Sequence, residues 1–188
     1  SLALGIFNGT DLRPVRGGGI CQVATTLYRS ILQAGLPVLQ RANHSLFVHY
    51  YEKYGLGIDA TVFPGQQDLT FVNDTGNYLL IQSYAEGEEA FVNIYGVPDS
   101  RRVALEGPYF GKTAPKDLLG EGKKPLRANQ IAWIRRILPA PGAEMTSEVF
   151  VSNYNAVPRS LADAWPLTVS VTGPAQHAAA PEEFADAR

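Results

Sequence analysis

The sequence predicts an α+β domain, with one main N-terminal helix packed on a mostly antiparallel β-sheet. Three observations carry this expectation. Apolar side chains recur at helical spacing after residue 22, and from residue 45 the period falls to two. In addition, 18 glycines and 13 prolines in 188 residues cut these runs into short segments.

Residues 1–19 are mostly turn-forming, with "NGTD" and "RPVRGGG" as breakers. Val23, Leu27, Ile31 and Ala34 then share one helical face, with Ala24, Tyr28 and Leu32 beside them, and Gly35 and Pro37 supply the stop. A helix over 21–34 follows. "SLFVHYY" (45–51) and "DATVF" (59–63) read as strands joined by "EKYGLG". The alternation continues in "DLTFVND" (68–74), "YLLIQSYA" (78–85) and "EAFVNIYGV" (89–97), whose short connections predict an antiparallel meander. "RRVALEG" (101–107) reads as a sixth strand, and residues 108–128 as a long polar loop. A late hairpin is expected from "QIAWIRRILP" (130–139) and "SEVFVSNYN" (147–155). One domain over 1–172 results, with its core at 5–107 and a looser extension at 108–172. The tail at 173–188 is too poor in large apolar residues to pack.

A hydrophobic fraction of 45% against 18% charged residues suits a globular domain. The net charge of -2 predicts no attraction to nucleic acid or to an anionic membrane. No stretch is apolar enough to insert into a bilayer. The single cysteine excludes an intrachain disulfide, and no Cys/His spacing marks a zinc site, so no metal or cofactor is expected. The opening "SLALGIFNGT" has no initiator methionine and reads as a piece of a longer protein, anchored or secreted.

That cysteine, Cys21, follows a run of three glycines and stands where the helix begins. Unpaired N–H groups and the helix dipole favour the thiolate there, which lowers the thiol pKa and exposes a nucleophile. Such a nucleophile needs a base, and the base an orienting partner. His44 at the head of the first expected strand and Asp59 at the head of the next supply both types in order. Gly19, Gln22 and Thr25 around the helix start are candidates for substrate binding, with the backbone N–H groups near Gln22 as an oxyanion site. Each has a plainer account. Cys21 can be a small buried hydrophobe, His44 a structural histidine, Asp59 a turn residue, and Thr25 a cap. His49 is expected on the opposite strand face and is left out. Tyr50, Tyr51, Tyr54 and Trp133 suit either a glycan groove or ordinary packing.

The order of helix-start cysteine, strand histidine and strand aspartate resembles the core of transglutaminase-like and papain-type thiol enzymes. "GLPVLQR" after the helix adds locally to that likeness. A more specific resemblance runs through "GGGICQVATTLYRSILQAGL", "RANHSLFV", "GIDATV" and "DLTFVNDTGNYLLIQS". In this order they are similar to the VanW family, named for a component of vancomycin-resistance gene clusters, over about residues 5 to 97, and the later "SEVFVSNYNAVP" fits the family's usual ending more loosely. Two departures stand out: Ala24 where serine is frequent, and Asn43 before His44 where proline is frequent. Neither removes a group the Cys–His–Asp reading needs. The resemblance implies an extracytoplasmic, cell-envelope location and supplies no reaction.

Two expectations follow. One is a thiol acyltransferase or amide hydrolase acting on peptidoglycan peptides or surface proteins, with Cys21, His44 and Asp59 catalytic. The other is a non-catalytic envelope module, binding peptidoglycan or a partner, in which the cysteine is structural.

Overall fold

The structure, a computed structural model, describes residues 2–7, 11–16, 18–87, 89–111 and 125–155. The expected tail, the end of the extension from 156 and most of the loop over 108–128 lie outside them. The strands come in order as β1 (Leu2–Phe7), β2 (Asp11–Arg16), β3 (Val38–Gln40), β4 (Thr70–Phe71), β5 (Leu80–Glu86), β6 (Glu89–Tyr95), β7 (Arg102–Tyr109), β8 (Gln130–Leu138) and β9 (Thr146–Asn153). One α-helix, α1 (Ile20–Gln33), and a 3-10 helix, His49–Tyr54, complete the described elements.

The expected fold class is corrected by this arrangement. The strands form three two-stranded antiparallel sheets, β1–β2, β3–β4 and β5–β6, and one three-stranded antiparallel sheet, β7–β8–β9. The protein is therefore β-rich, rather than a main helix on one continuous sheet, and the transglutaminase-like sheet is not seen among the described residues.

The helix forms where its pattern placed it, one residue early. Ala24, Tyr28 and Leu32 bury one face of it against Ile131 and Trp133 of β8, together with Ile58, Ala60 and Tyr154. Gly35, at φ +69, lets the chain leave the helix in the left-handed region, and the N–H of Leu36 donates to the Ile31 carbonyl at 3.2 Å. Alternation in β8 sends Ala132 and Ile134 to the other face, against Tyr109 and Leu126. Arg135, fully buried, uses its position beneath the helix end: Nη1 donates to the Leu36 carbonyl at 3.0 Å and Nε to Glu148 at 3.0 Å. The β5–β6 hairpin is held to the helix through Ser30 Oγ, which donates to the Val92 carbonyl at 2.8 Å.

The largest departure from expectation is residues 43–63. "SLFVHYY" and "DATVF" form no strand pair; bends, the 3-10 helix and the isolated Ala42–Thr61 and Phe63–Gln67 bridges take their place. The reason is that side chains have taken the backbone partners a sheet would use. Arg29 donates to the carbonyls of Tyr51, Gly55 and Ile58, and Arg41 to those of Gly57 and Asp59. Thr25 takes both the N–H and the C=O of Ala60. The Trp133 indole N–H donates to the Leu56 carbonyl. By contrast, the turns at 1–19 conceal a hairpin, with β1 and β2 in register from Leu2 opposite Arg16 to Phe7 opposite Asp11.

Gly57 shows how closely this loop is seated. Its φ is +82, and a Cβ there would lie 2.6 Å from Ile131 Cγ2. Gly57→Ala is predicted to cost about 3 kcal/mol, combining left-handed strain with overpacking. Gly65 also has positive φ but open space around it, so Gly65→Ala should cost only about 1 kcal/mol. Urea denaturation of the two variants reads the difference, and equal losses would refute this account of the packing.

Candidate active site

The site is built where the start of α1 meets the 43–63 loop. Gly19, at φ +95, turns the chain into the helix, whose first backbone bond runs from Val23 N–H to the Gly19 carbonyl at 3.1 Å. The N–H groups of the residues before Val23 consequently have no intrahelical acceptor. Cys21, in the first turn and half-buried, directs its sulfur at the loop, 3.4 Å from Thr61 Oγ1 and 3.6 Å from the Val62 carbonyl oxygen.

Asp59 is buried and its carboxylate is fully engaged. Oδ2 accepts from the His44 backbone N–H at 2.8 Å and from His44 Nδ1 at 2.6 Å. Oδ1 accepts from Arg41 Nη2 at 3.3 Å and from the Tyr154 hydroxyl. Burial works against the carboxylate, yet the bonds from His44, Tyr154 and Arg41 outweigh it and hold its pKa below the ordinary 3.8. With Nδ1 committed to Asp59, Nε2 of His44 is the nitrogen available to the thiol.

Cys21 and His44 act on one another electrostatically, each shifting the other's proton affinity. His44 is the largest influence on the thiol; burial opposes it, the Thr61 hydroxyl and Val62 backbone assist it, and the pKa falls to about 7. For His44, burial is the largest influence and disfavours the imidazolium. The bond to Asp59 and the influence of Cys21 overcome it and hold the pKa at about 9. Between those values the pair is a thiolate beside an imidazolium, oriented by a carboxylate: a charge state suited to nucleophilic attack followed by proton donation.

The structure thus brings Cys21, His44 and Asp59 together, although not on neighbouring strands. Gly19 and Gln22 line an open groove of about 710 Å³ on an adjacent side of the helix start, with Ile20, Val23, Val62 and Leu69. Thr25 is elsewhere: only 1% exposed, its hydroxyl donates to the Ala60 carbonyl at 3.0 Å and accepts from the Ala60 N–H at 3.1 Å. Its assignment to substrate binding, like a capping role, is corrected on that ground. Tyr51 and Trp133 are buried in packing, while Tyr50 and Tyr54 are exposed. No group of three or more His, Cys, Asp or Glu side chains suits a metal among the described residues. No described helix is long and apolar enough to cross a membrane. Arg41, which opens the "RANHSLFV" stretch, and Tyr154 complete the carboxylate's shell, and neither was singled out as a site residue from the sequence.

These features define a β-rich domain with a thiol–imidazole–carboxylate cluster at a helix start. Over residues 3–95 the chain matches the family model described as VanW like protein, a family associated with vancomycin resistance. It is also similar to the uncharacterized protein YoaR of Bacillus subtilis (strain 168), with 38% identity over 105 residues. That stretch is 56% of this chain and 34% of the relative. No solved structure matches the chain.

Two predictions follow from the geometry. Thr25→Val leaves the buried Ala60 N–H and C=O without their partner and should cost about 2 kcal/mol in urea denaturation; a neutral effect would refute the latch. The second concerns pH. Between pH 7 and 9 the folded protein has lost a thiol proton that the unfolded chain, with its ordinary value of 9.0, retains, so stability rises with pH. Between 6.5 and 9 it keeps an imidazole proton that the unfolded chain has lost, so stability falls. The two slopes oppose each other, and the wild-type urea midpoint should be nearly flat from pH 7 to 9. Cys21→Ser leaves the His44 contribution alone, fully present below 6.5 and lost as the pH rises through the folded value. A flat profile in that variant would refute the raising of His44 by Asp59. On the acid side, the stabilisation from Asp59 stands above pH 3.8 and is lost as the pH falls through its depressed folded value.

Proposed function

We propose that this domain is a cysteine-dependent acyltransferase or amide hydrolase of the bacterial cell envelope, acting on peptidoglycan peptides or surface proteins. The observation that carries the reading is the meeting of Cys21 at the helix start with a His44 imidazole whose Nδ1 is bound at 2.6 Å by the buried Asp59 carboxylate, the imidazole lowering the thiol pKa. The association of VanW-like proteins with vancomycin resistance supports the envelope setting.

In this mechanism the Cys21 thiolate attacks the carbonyl carbon of an amide, forming a C–S bond and a tetrahedral oxyanion. Backbone N–H groups at the start of α1, free of intrahelical acceptors, are the donors nearest to that charge. The intermediate collapses as the C–N bond breaks, and the His44 imidazolium gives its proton to the departing amine. A thioester remains. Water or a second amine attacks it, neutral His44 takes the proton from that nucleophile, and the thiolate leaves. Hydrolysis and transfer therefore differ only in which nucleophile reaches the thioester. Asp59 stays ionised throughout, holding Nδ1–H and balancing the imidazolium.

The test is the pH dependence of iodoacetamide labelling at Cys21. In the wild type the rate should rise through a midpoint of about 7, and in His44→Ala that midpoint should move toward the ordinary thiol value of 9.0. Equal, slow labelling in both proteins would overturn the enzyme reading and favour a non-catalytic module that binds peptidoglycan or a partner.

A further inference from the structure

We infer that Tyr154 is a positioning residue of this site, so that the working domain extends past residue 95 to include the end of β9. The inference rests on the thiol reading above and adds a part of the chain that the VanW-like match, residues 3–95, does not contain.

The two oxygens of Asp59 are held by different parts of the chain. Oδ2 is occupied by His44 alone, through its backbone N–H and Nδ1. The rotation of the carboxylate about its own axis is set by whatever holds Oδ1, and that is Tyr154 and Arg41. Arg41 lies at 3.3 Å and divides its guanidinium among the Asp59 carbonyl at 2.6 Å, the Gly57 carbonyl at 3.1 Å and Ser152 Oγ at 2.8 Å. The phenol of Tyr154 makes the shorter bond to Oδ1, and Ser152, another partner of Arg41, stands in β9, which ends one residue before Tyr154.

The phenol is itself seated firmly. Tyr154 is 6% exposed, and its ring meets Phe47 edge to face at 5.5 Å. Its backbone N–H donates to the Asn129 carbonyl at 3.0 Å, and its carbonyl accepts from Asn129 Nδ2 at 2.8 Å. On either side the chain is tied to the histidine's own loop. Asn43 Nδ2 donates to the Asn153 carbonyl at 2.6 Å, and the Asn155 N–H to the Ser45 carbonyl at 2.7 Å. The end of β9 thus grips residues 43 and 45 on both sides of His44 while its tyrosine grips Asp59. Both partners of the Nδ1–Oδ2 bond are placed by one short segment remote in sequence.

Without the phenol, Oδ1 keeps only the long bond to Arg41, and the carboxylate is free to turn away from Nδ1. The imidazolium then loses its counter-charge contact, and the thiolate loses the imidazolium. Tyr154→Phe removes that one oxygen and keeps the ring on Phe47. It leaves in place the other ionisable groups around the pair: Arg29, Arg41 and Tyr28 beside Asp59, and Tyr51, whose ring lies 5.7 Å from His44.

The experiment measures the His44 imidazole titration by NMR and the Cys21 labelling midpoint in wild type, Tyr154→Phe and Ser152→Ala. In Tyr154→Phe the His44 midpoint should fall from about 9 to about 8, and the labelling midpoint should rise from about 7 to about 7.5. Labelling at pH 7 should slow by about twofold. Ser152→Ala, which loosens Arg41 and spares the phenol, should give a smaller change of the same sign. A His44 titration identical in all three proteins overturns the inference, as does a midpoint that moves upward. Failure of the thiol reading looks different: an ordinary labelling midpoint in the wild type, with the His44 titration still sensitive to Tyr154. A variant that merely loosened the fold would move the urea midpoint and leave the titration where it was.

Discussion

A carboxylate deprived of water and given too few donors is among the costlier things a protein can bury. Asp59 avoids that cost by collecting donors from separate parts of the chain: His44 with its backbone and ring, Arg41 from the segment after β3, and Tyr154 from the end of β9. No two of these parts belong to one regular element. Satisfying a single buried charge therefore fixes the positions of the histidine loop, the residues between Gly55 and Ala60, and the β8–β9 hairpin relative to one another. The helix joins the same assembly through Thr25 and Ala60.

The chemistry inherits its character from that constraint. The imidazole is basic because the carboxylate beside it is desolvated yet kept ionised, and the thiol is acidic because the imidazole is basic. Each group alone would behave ordinarily at its degree of burial. Deprotonating the sulfur and protonating the ring leaves the net charge of the cluster unchanged, so the poised state forms without moving charge in or out of the protein.

How much of this could be read from the residues varies along the chain. The helix was legible because its apolar stripe and the stop at Gly35 agree, and β5 to β9 because alternation and short turns agree. The chemical types at 21, 44 and 59 were legible as an ordered series. The geometry that joins them was not, because residues 43–63 have the alternation of strands while their backbone partners are the side chains of Arg29, Arg41 and Thr25, a substitution that leaves no local pattern. The α+β expectation failed at that point. Thr25 had a usable signal: it stands on the stripe with Cys21, Tyr28 and Leu32, where a hydroxyl turns inward. Tyr154, inside "VSNYN", had only the looser fit of that stretch to the family's ending, which assigns it no role.

The two arginines that hold the loop point to something about what this chain can tolerate. Arg29 reaches three carbonyls from one planar group, and Arg41 two carbonyls, a hydroxyl and a carboxylate. A lysine at either position would preserve the positive charge and lose the fan, since its ammonium is a point on a flexible stem. What matters at these positions is the span of the donor, in the way a keystone matters by its shape rather than its weight. A substitution table that scores arginine and lysine as near equivalents would misjudge the two residues on which the loop's backbone most depends.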